Sequence, residues 1–300
     1  MTTDKKSFET FTFTGMALDP IHVGTGGTRL GRVDNTIVRD PVTKIPQIPG
    51  SSIAGIMRAY VAMRKENETP NRQIDNKPKP YYPDCAGQGG GDSGHCGQAD
   101  CPICTVFGFA RGRDSGGGFA GLAAFSDMHV LLFPVASQLG PQWITCPMAL
   151  RQTGMTALKD FGDLPEQQVV YRKGAGAAVQ SSLNLGWLFL PVRTDWSRLD
   201  DIIQRMKTLC VPDYIISRLG VVSDKLFTHI VNSNLEVRTS VAIDPATGAA
   251  EGGALFTYEA LPRGTVLIWE MTCRNPKHFR INGKKVAAVE SPKQVRDVVA

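Results

Sequence analysis

No stretch of this sequence approaches the ~20 apolar residues that a membrane-spanning helix requires. The opening residues, Met1 to Thr10, are polar and charged rather than leader-like. An intracellular, cytoplasmic protein without a membrane partner is therefore expected. Charge of one sign is also scarce: 33 Lys and Arg against 28 Asp and Glu leave +5, compatible with a polyanionic partner but too mild to require one. The seven cysteines are odd in number, which argues against a disulfide scaffold and for a reducing compartment. The glycine-rich run His22-Val23-Gly24-Thr25-Gly26-Gly27 lacks the lysine of a phosphate-binding P-loop and opens no helix, so it reads as a loop.

Three hundred residues, 42% of them apolar, provide for one large domain with insertions or two small ones. Residues 8–18 alternate apolar and polar side chains and read as a half-buried strand, and Asp34 to Asp40 as a short strand with charged ends. Leu122 to Phe125 and Val130 to Val135 are further strands. Arg198 to Thr208 is an amphipathic helix with Leu199, Ile202, Ile203 and Met206 on one face. Leu235 to Ile243, a turn at Asp244 to Gly248, and Ala254 to Glu259 form a long β-hairpin. With no regular βαβ repeat, the expected class is α+β.

Two local patterns point to chemistry. In Pro46-Gln47-Ile48-Pro49-Gly50-Ser51-Ser52-Ile53, two prolines keep the chain extended up to Gly50, and Ser51 or Ser52 can cap the helix that follows. Exposed first-turn amides and two hydroxyls favour a phosphate, although a plain Pro-Gly turn before a capped helix has the same sequence. The second pattern is Cys85, Cys96, Cys101 and Cys104, spaced C-x10-C-x4-C-x2-C. Residues 66–100 hold almost no aliphatic side chains and cannot bury a core by themselves. Four thiolates around one zinc ion would substitute for that core, and four protein ligands leave no open position for catalysis. His95 is an alternative ligand to its neighbour Cys96. Cys146, Cys210 and Cys273 lie among apolar residues and read as core.

The segments Val33-Asp34-Asn35-Thr36-Ile37-Val38-Arg39-Asp40, Pro46 through Arg58, and Cys101-Pro102-Ile103-Cys104-Thr105-Val106-Phe107-Gly108 together resemble the RAMP superfamily of CRISPR effector subunits, in particular the repeated backbone subunit of type III complexes. Phe133-Pro134-Val135-Ala136-Ser137, Trp143-Ile144-Thr145-Cys146-Pro147, Ser223-Asp224-Lys225-Leu226-Phe227 and Gly253 through Pro262 resemble the type III-B, Cmr, version more than its Csm relative. The resemblance covers most of residues 8–270.

The resemblance implies a ferredoxin-like, RRM-related palm (1–65, 119–234 and 261–300), a zinc-bound fingers insertion (66–118) and a thumb hairpin (235–260). It implies copies stacked along a guide RNA beside other type III effector subunits, with complementary target RNA cut at six-nucleotide steps. Carried over by position, Gly50, Ser51, Ser52, Arg58 and Arg238 would contact RNA, Asp34 would cleave it, and His22, Tyr258 and Glu259 would lie near the cut. One carboxylate can accept the proton of the attacking 2′-hydroxyl or hold a divalent ion, and the family's metal dependence points to Mg²⁺. Without the resemblance, Asp34 reads as an ordinary turn aspartate, and His22 reads equally as a loop histidine bonded to backbone or as a functional one. A non-catalytic guide-RNA scaffold, or the equivalent Csm-type subunit, would share the same features. Family members usually continue beyond the Ser291 to Ala300 helix into a glycine-rich loop and a last palm strand, so either a shortened chain or a divergent terminus is expected, and the resemblance leaves open whether the palm is complete.

Overall fold

A computed structural model describes residues 6–26, 33–88, 94–110, 117–155, 164–172 and 181–300, with side chains throughout except at 251–254. The chain divides into two compact units: residues 1–12, 49–127 and 269–300 in one, and 13–48 and 128–268 in the other. The strands Phe8–Met16 and Val266–Arg274 contribute residues to both.

The second unit is built on a mixed, mostly antiparallel sheet. From Val266–Arg274 the order runs through Met128–Val135, Gln142–Thr145, Leu219–Val221, Val169–Tyr171, Leu188–Arg193 and Ser182–Leu185. Two of these pairings are parallel, Leu219–Val221 on Gln142–Thr145 and Leu188–Arg193 on Val169–Tyr171. Sequence patterns follow position in the sheet. Met128–Val135 is an inner strand, and its continuous run Val130 to Phe133 is buried on both faces. The opening strand Phe8–Met16 lies at the end of the order and alternates as expected, with Phe8 left exposed. The expected helix spans Leu199–Thr208, with Leu199, Ile202, Ile203 and Met206 buried. A helix the sequence reading did not single out, Asp224–Ser233, is capped by the Ser223 hydroxyl, which accepts from the Leu226 amide, and buries Phe227, Ile230 and Val231.

The hairpin forms as expected, Glu236–Ile243 against Ala250–Ala260, with Arg238 opposite Tyr258 and Thr239 opposite Thr257. Residues 34–40 do not make the expected strand. Ile37 bridges Gly24, Asn35 bridges Tyr258 and Arg39 bridges Pro46, so successive residues pair with three different segments and no ladder develops.

In the first unit, the helix Gly50–Glu68 and the short helix Pro102–Phe107 surround a core of Val61, Ala62, Ala99, Ile103, Phe109, Ile281 and the four clustered cysteines. The aliphatic partners missing from 66–100 are supplied by the long helix and by Ile281. Cys146 and Cys273 are buried as expected, but Cys210 is exposed: it follows the helix Leu199–Thr208 in a left-handed conformation, φ 57°, that turns the chain. The expected loop at 111–118 lies outside the described residues except for 117 and 118. Among the described residues no helix is long and apolar enough to cross a membrane.

Candidate RNA-processing and metal sites

At the base of the hairpin, Asn35 forms a single parallel bridge to Tyr258 on the outgoing strand. The Asn35 amide donates to the Thr257 carbonyl at 3.0 Å, and the Glu259 amide returns a bond to the Asn35 carbonyl at 3.1 Å. This fixes Asp34 beside Thr257. One carboxylate oxygen, Oδ2, accepts from the Thr257 amide at 2.7 Å and from its hydroxyl at 2.9 Å. Those two bonds, the backbone one foremost, hold the Asp34 carboxyl below its ordinary range. An exposed carboxylate of this kind is a weak proton acceptor at neutral pH and a good fixed charge.

The other residues named near the cut gather at the same place with different tasks. His22 Nδ1 lies 2.5 Å from the Glu259 carbonyl oxygen, so Nδ1 carries the proton and Nε2 is left as the other hydrogen-bonding nitrogen. Its ring tilts against that of Tyr258, with centroids 5.1 Å apart. Glu259 is not a free reagent. Its carboxylate takes a two-pronged bond from Arg39, at 2.9 and 3.0 Å, and one from the Ile37 amide at 3.1 Å. Burial raises the Glu259 pKa, but the Arg39 and Ile37 bonds outweigh it, so the carboxyl sits below its usual range. Arg39 also donates to the Asn232 side chain at 2.9 Å. Arg238 is exposed on the hairpin, 3.5 Å from Glu236.

The Gly50-Ser51-Ser52 turn departs from expectation. The helix starts at Gly50 itself with no cap from its own N-cap residue Pro49, and both serines already lie inside its first turn. The capping acceptor is Asp127, whose Oδ1 takes the Gly50 amide at 2.8 Å. A carboxylate thus already sits at part of the expected anion site. Gly50 is also required for packing: a Cβ there would lie 2.3 Å from the Phe125 carbonyl oxygen. Arg58, expected on RNA, instead donates from Nε to the Cys85 carbonyl at 2.7 Å and from a terminal nitrogen to His95 Nδ1 at 2.8 Å.

That arginine leads to the metal cluster. The ligand atoms of Cys85, Cys96, Cys101 and Cys104 all lie within 4.8 Å of one another, and all four residues are buried. Cys96 and Cys104 Sγ are 3.7 Å apart, and Cys101 and Cys85 Sγ 3.9 Å. Four sulfurs placed tetrahedrally at Zn–S bonds of ~2.3 Å would be about 3.8 Å apart, so the quartet fits one such ion. Hydrogen bonds from Cys101 and Cys104 pull the Cys96 thiol well below the ordinary thiol range. Arg72 points one nitrogen at Cys96 Sγ, 3.5 Å, and another at Cys85 Sγ, 3.8 Å, and lies over the Tyr81 ring. His95 is not among the ligands. Burial and the Arg58 guanidinium lower its pKa, and its Nδ1 is the acceptor of the Arg58 bond. Arg39, Arg72, Asp127 and Thr257 carried no sequence signal of these roles, since each acts on a partner remote in the chain or brought near only by the fold.

A family model for the RAMP superfamily matches residues 16–289. The chain belongs to the RAMP superfamily. Among curated proteins, this RAMP chain is 24% identical over 259 residues to the CRISPR system Cmr endoribonuclease Cmr4 of Pyrococcus furiosus, covering 83% of this chain and 76% of that one. It is 33% identical over 100 residues to the Cms endoribonuclease Csm3 of Methanothermobacter thermautotrophicus, about a third of each chain. Its fold matches a chain of a type III-B Cmr-beta cryo-EM structure bound to cognate target RNA, with TM-score 0.61, 15% identity and 91% and 87% of the two chains covered. It also matches a crystal structure of oligomeric Cmr4 from Pyrococcus furiosus, with TM-score 0.54, 17% identity and 90% and 83% covered.

Proposed function

We propose that this RAMP chain is the repeated backbone subunit of a type III-B CRISPR ribonucleoprotein, binding guide RNA in a file of its own copies beside other effector subunits and cleaving complementary target RNA at six-nucleotide intervals. The observation that carries this reading is the gathering of Asp34, His22 and Tyr258 at the base of one hairpin. Relatives named as endoribonucleases, and a matching chain in a complex bound to target RNA, support it. The architecture proposed is a ferredoxin-like palm, fingers stiffened by zinc on the four cysteines, and the Glu236–Ala260 hairpin as thumb. Gly50, buried and with its amide already taken by Asp127, serves packing, while Ser51, Ser52 and Arg238 contact RNA backbone. Arg58 is set aside from that role because its guanidinium is engaged beside the cysteines.

Cleavage by the neighbouring 2′-hydroxyl needs that oxygen aligned with the scissile phosphate and leaves a 2′,3′-cyclic phosphate end. Both Thr257 bonds fall on Asp34 Oδ2, leaving Oδ1 for the RNA or for an ion held with it. The lowered basicity of Asp34 favours a charge-placing role over proton abstraction. Among the described residues the cysteines are the one group able to enclose a metal, so Mg²⁺ at Asp34 would rely on RNA phosphates for most of its ligands. A bound divalent ion would supply charge at the leaving oxygen. His22 presents Nε2 as an acceptor for an RNA hydroxyl, and Glu259 with Arg39 holds the loop in place.

The test is Asp34→Ala in the assembled complex with guide RNA. Stepwise target cleavage should disappear while guide and target binding persist. Unchanged cuts would leave only the scaffold reading.

A further inference from the structure

Resting on that reading, we infer that Thr257 is the positioning residue of the cleavage site, holding Asp34 in a single orientation through its hydroxyl. The hydroxyl works in both directions. It donates to Asp34 Oδ2 at 2.9 Å and accepts from the Asp34 amide at 3.2 Å, while the Thr257 amide gives Oδ2 its second bond at 2.7 Å. A hydroxyl has one proton to give and lone pairs to receive, so a single small side chain satisfies both groups of Asp34. Valine has the same shape and can do neither. Serine can do both.

Orientation matters here because Asp34 is exposed. A surface carboxylate without fixed partners moves among its staggered rotamers, and misplacement of a reacting group by an ångström costs orders of magnitude in rate. Thr257 is well suited to prevent this. It is β-branched, which restricts its own side chain, and it sits in a strand paired through Thr239 and bonded to Asn35. The backbone bond from residue 257 survives any substitution there except proline, so the contribution of the hydroxyl can be measured separately. Thr257 need not touch RNA to act.

The experiment compares Thr257→Val, Thr257→Ser, Asp34→Ala and the Asp34→Ala/Thr257→Val pair in the assembled complex, by single-turnover cleavage at saturating target and by target affinity. Thr257→Val should slow cleavage about tenfold with unchanged affinity. Thr257→Ser should restore most of the rate, and the double variant should match Asp34→Ala. Wild-type cleavage by Thr257→Val, while Asp34→Ala is inactive, overturns this inference and leaves Asp34 as the cutting residue. Weakened target affinity in Thr257→Val, or a serine variant as slow as the valine one, also overturns it by marking the residue as hairpin packing. Unchanged cuts with Asp34→Ala would instead overturn the proposed function itself.

Discussion

Gly50→Ala should destabilise the protein far more than either neighbouring serine change, although all three lie in one turn. The added Cβ would sit 2.3 Å from the Phe125 carbonyl oxygen and 2.9 Å from that of Ser126. Ordinary carbon–oxygen contacts are about 3.3–3.6 Å, so helix and strand must separate by about 1 Å. Neither contact is with a side-chain end that can swing away, and overpacking against rigid backbone costs about 1–3 kcal/mol or more. The same displacement pulls the Gly50 amide from Asp127, a bond to a charged acceptor contributing about 1.5–3 kcal/mol. Together these predict a loss of about 3–5 kcal/mol. Denaturant unfolding of the purified chain measures it, with Asp127→Asn as a control that removes the charged cap and leaves the packing, at about 1 kcal/mol. Ser51→Ala and Ser52→Ala should unfold like wild type and weaken guide-RNA binding. A Gly50→Ala protein with an unchanged midpoint would refute the packing argument.

Purified protein should carry one zinc per chain by native mass spectrometry, and chelation should unfold the first unit, since the cysteines form much of its core; an intact, metal-free fold would remove the claim. Arg72→Met should lower metal affinity about 10–100-fold in a chelator competition by withdrawing the charge facing Cys96 and Cys85. Glu259→Gln should cost about 1–2 kcal/mol, less than a fully buried pair because Arg39 and Glu259 keep 24% and 16% exposure. Because the folded-state pKa of Glu259 lies below its ordinary value of 4.5, its contribution is fully present above that pH. It is lost as acid takes the pH down through the folded-state value. Unfolding curves from pH 7 to pH 3 should therefore converge for wild type and Glu259→Gln at the acid end.

The elements legible in the sequence were those whose cause is local. Alternation in Phe8–Met16, the solid apolar run of Met128–Val135, the turn-centred hairpin and the cysteine spacing each reflect the residue's immediate surroundings. The gathering of Asp34, His22 and Tyr258 followed from family resemblance, since nothing in their spacing brings them together. What remained illegible depends on partners supplied by the fold. Asp127 caps a helix 77 residues away in sequence, and Arg39 reaches across 220 residues to Glu259. Arg58 turned out to serve the cysteine cluster because Cys85 and His95 fold back onto its helix. Cys210 lies among apolar neighbours in sequence, yet its left-handed turn exposes it.

The attachment of Asp34 to Thr257 spans 223 residues, which sets when the site can come into being. A chain leaving the ribosome presents Asp34 and Asn35 long before the strand they bond to has been synthesised. Until that strand emerges, the aspartate has neither its two Oδ2 donors nor its neighbours His22 and Tyr258 in place. The geometry proposed for cutting thus closes only late in synthesis, once residue 257 has emerged.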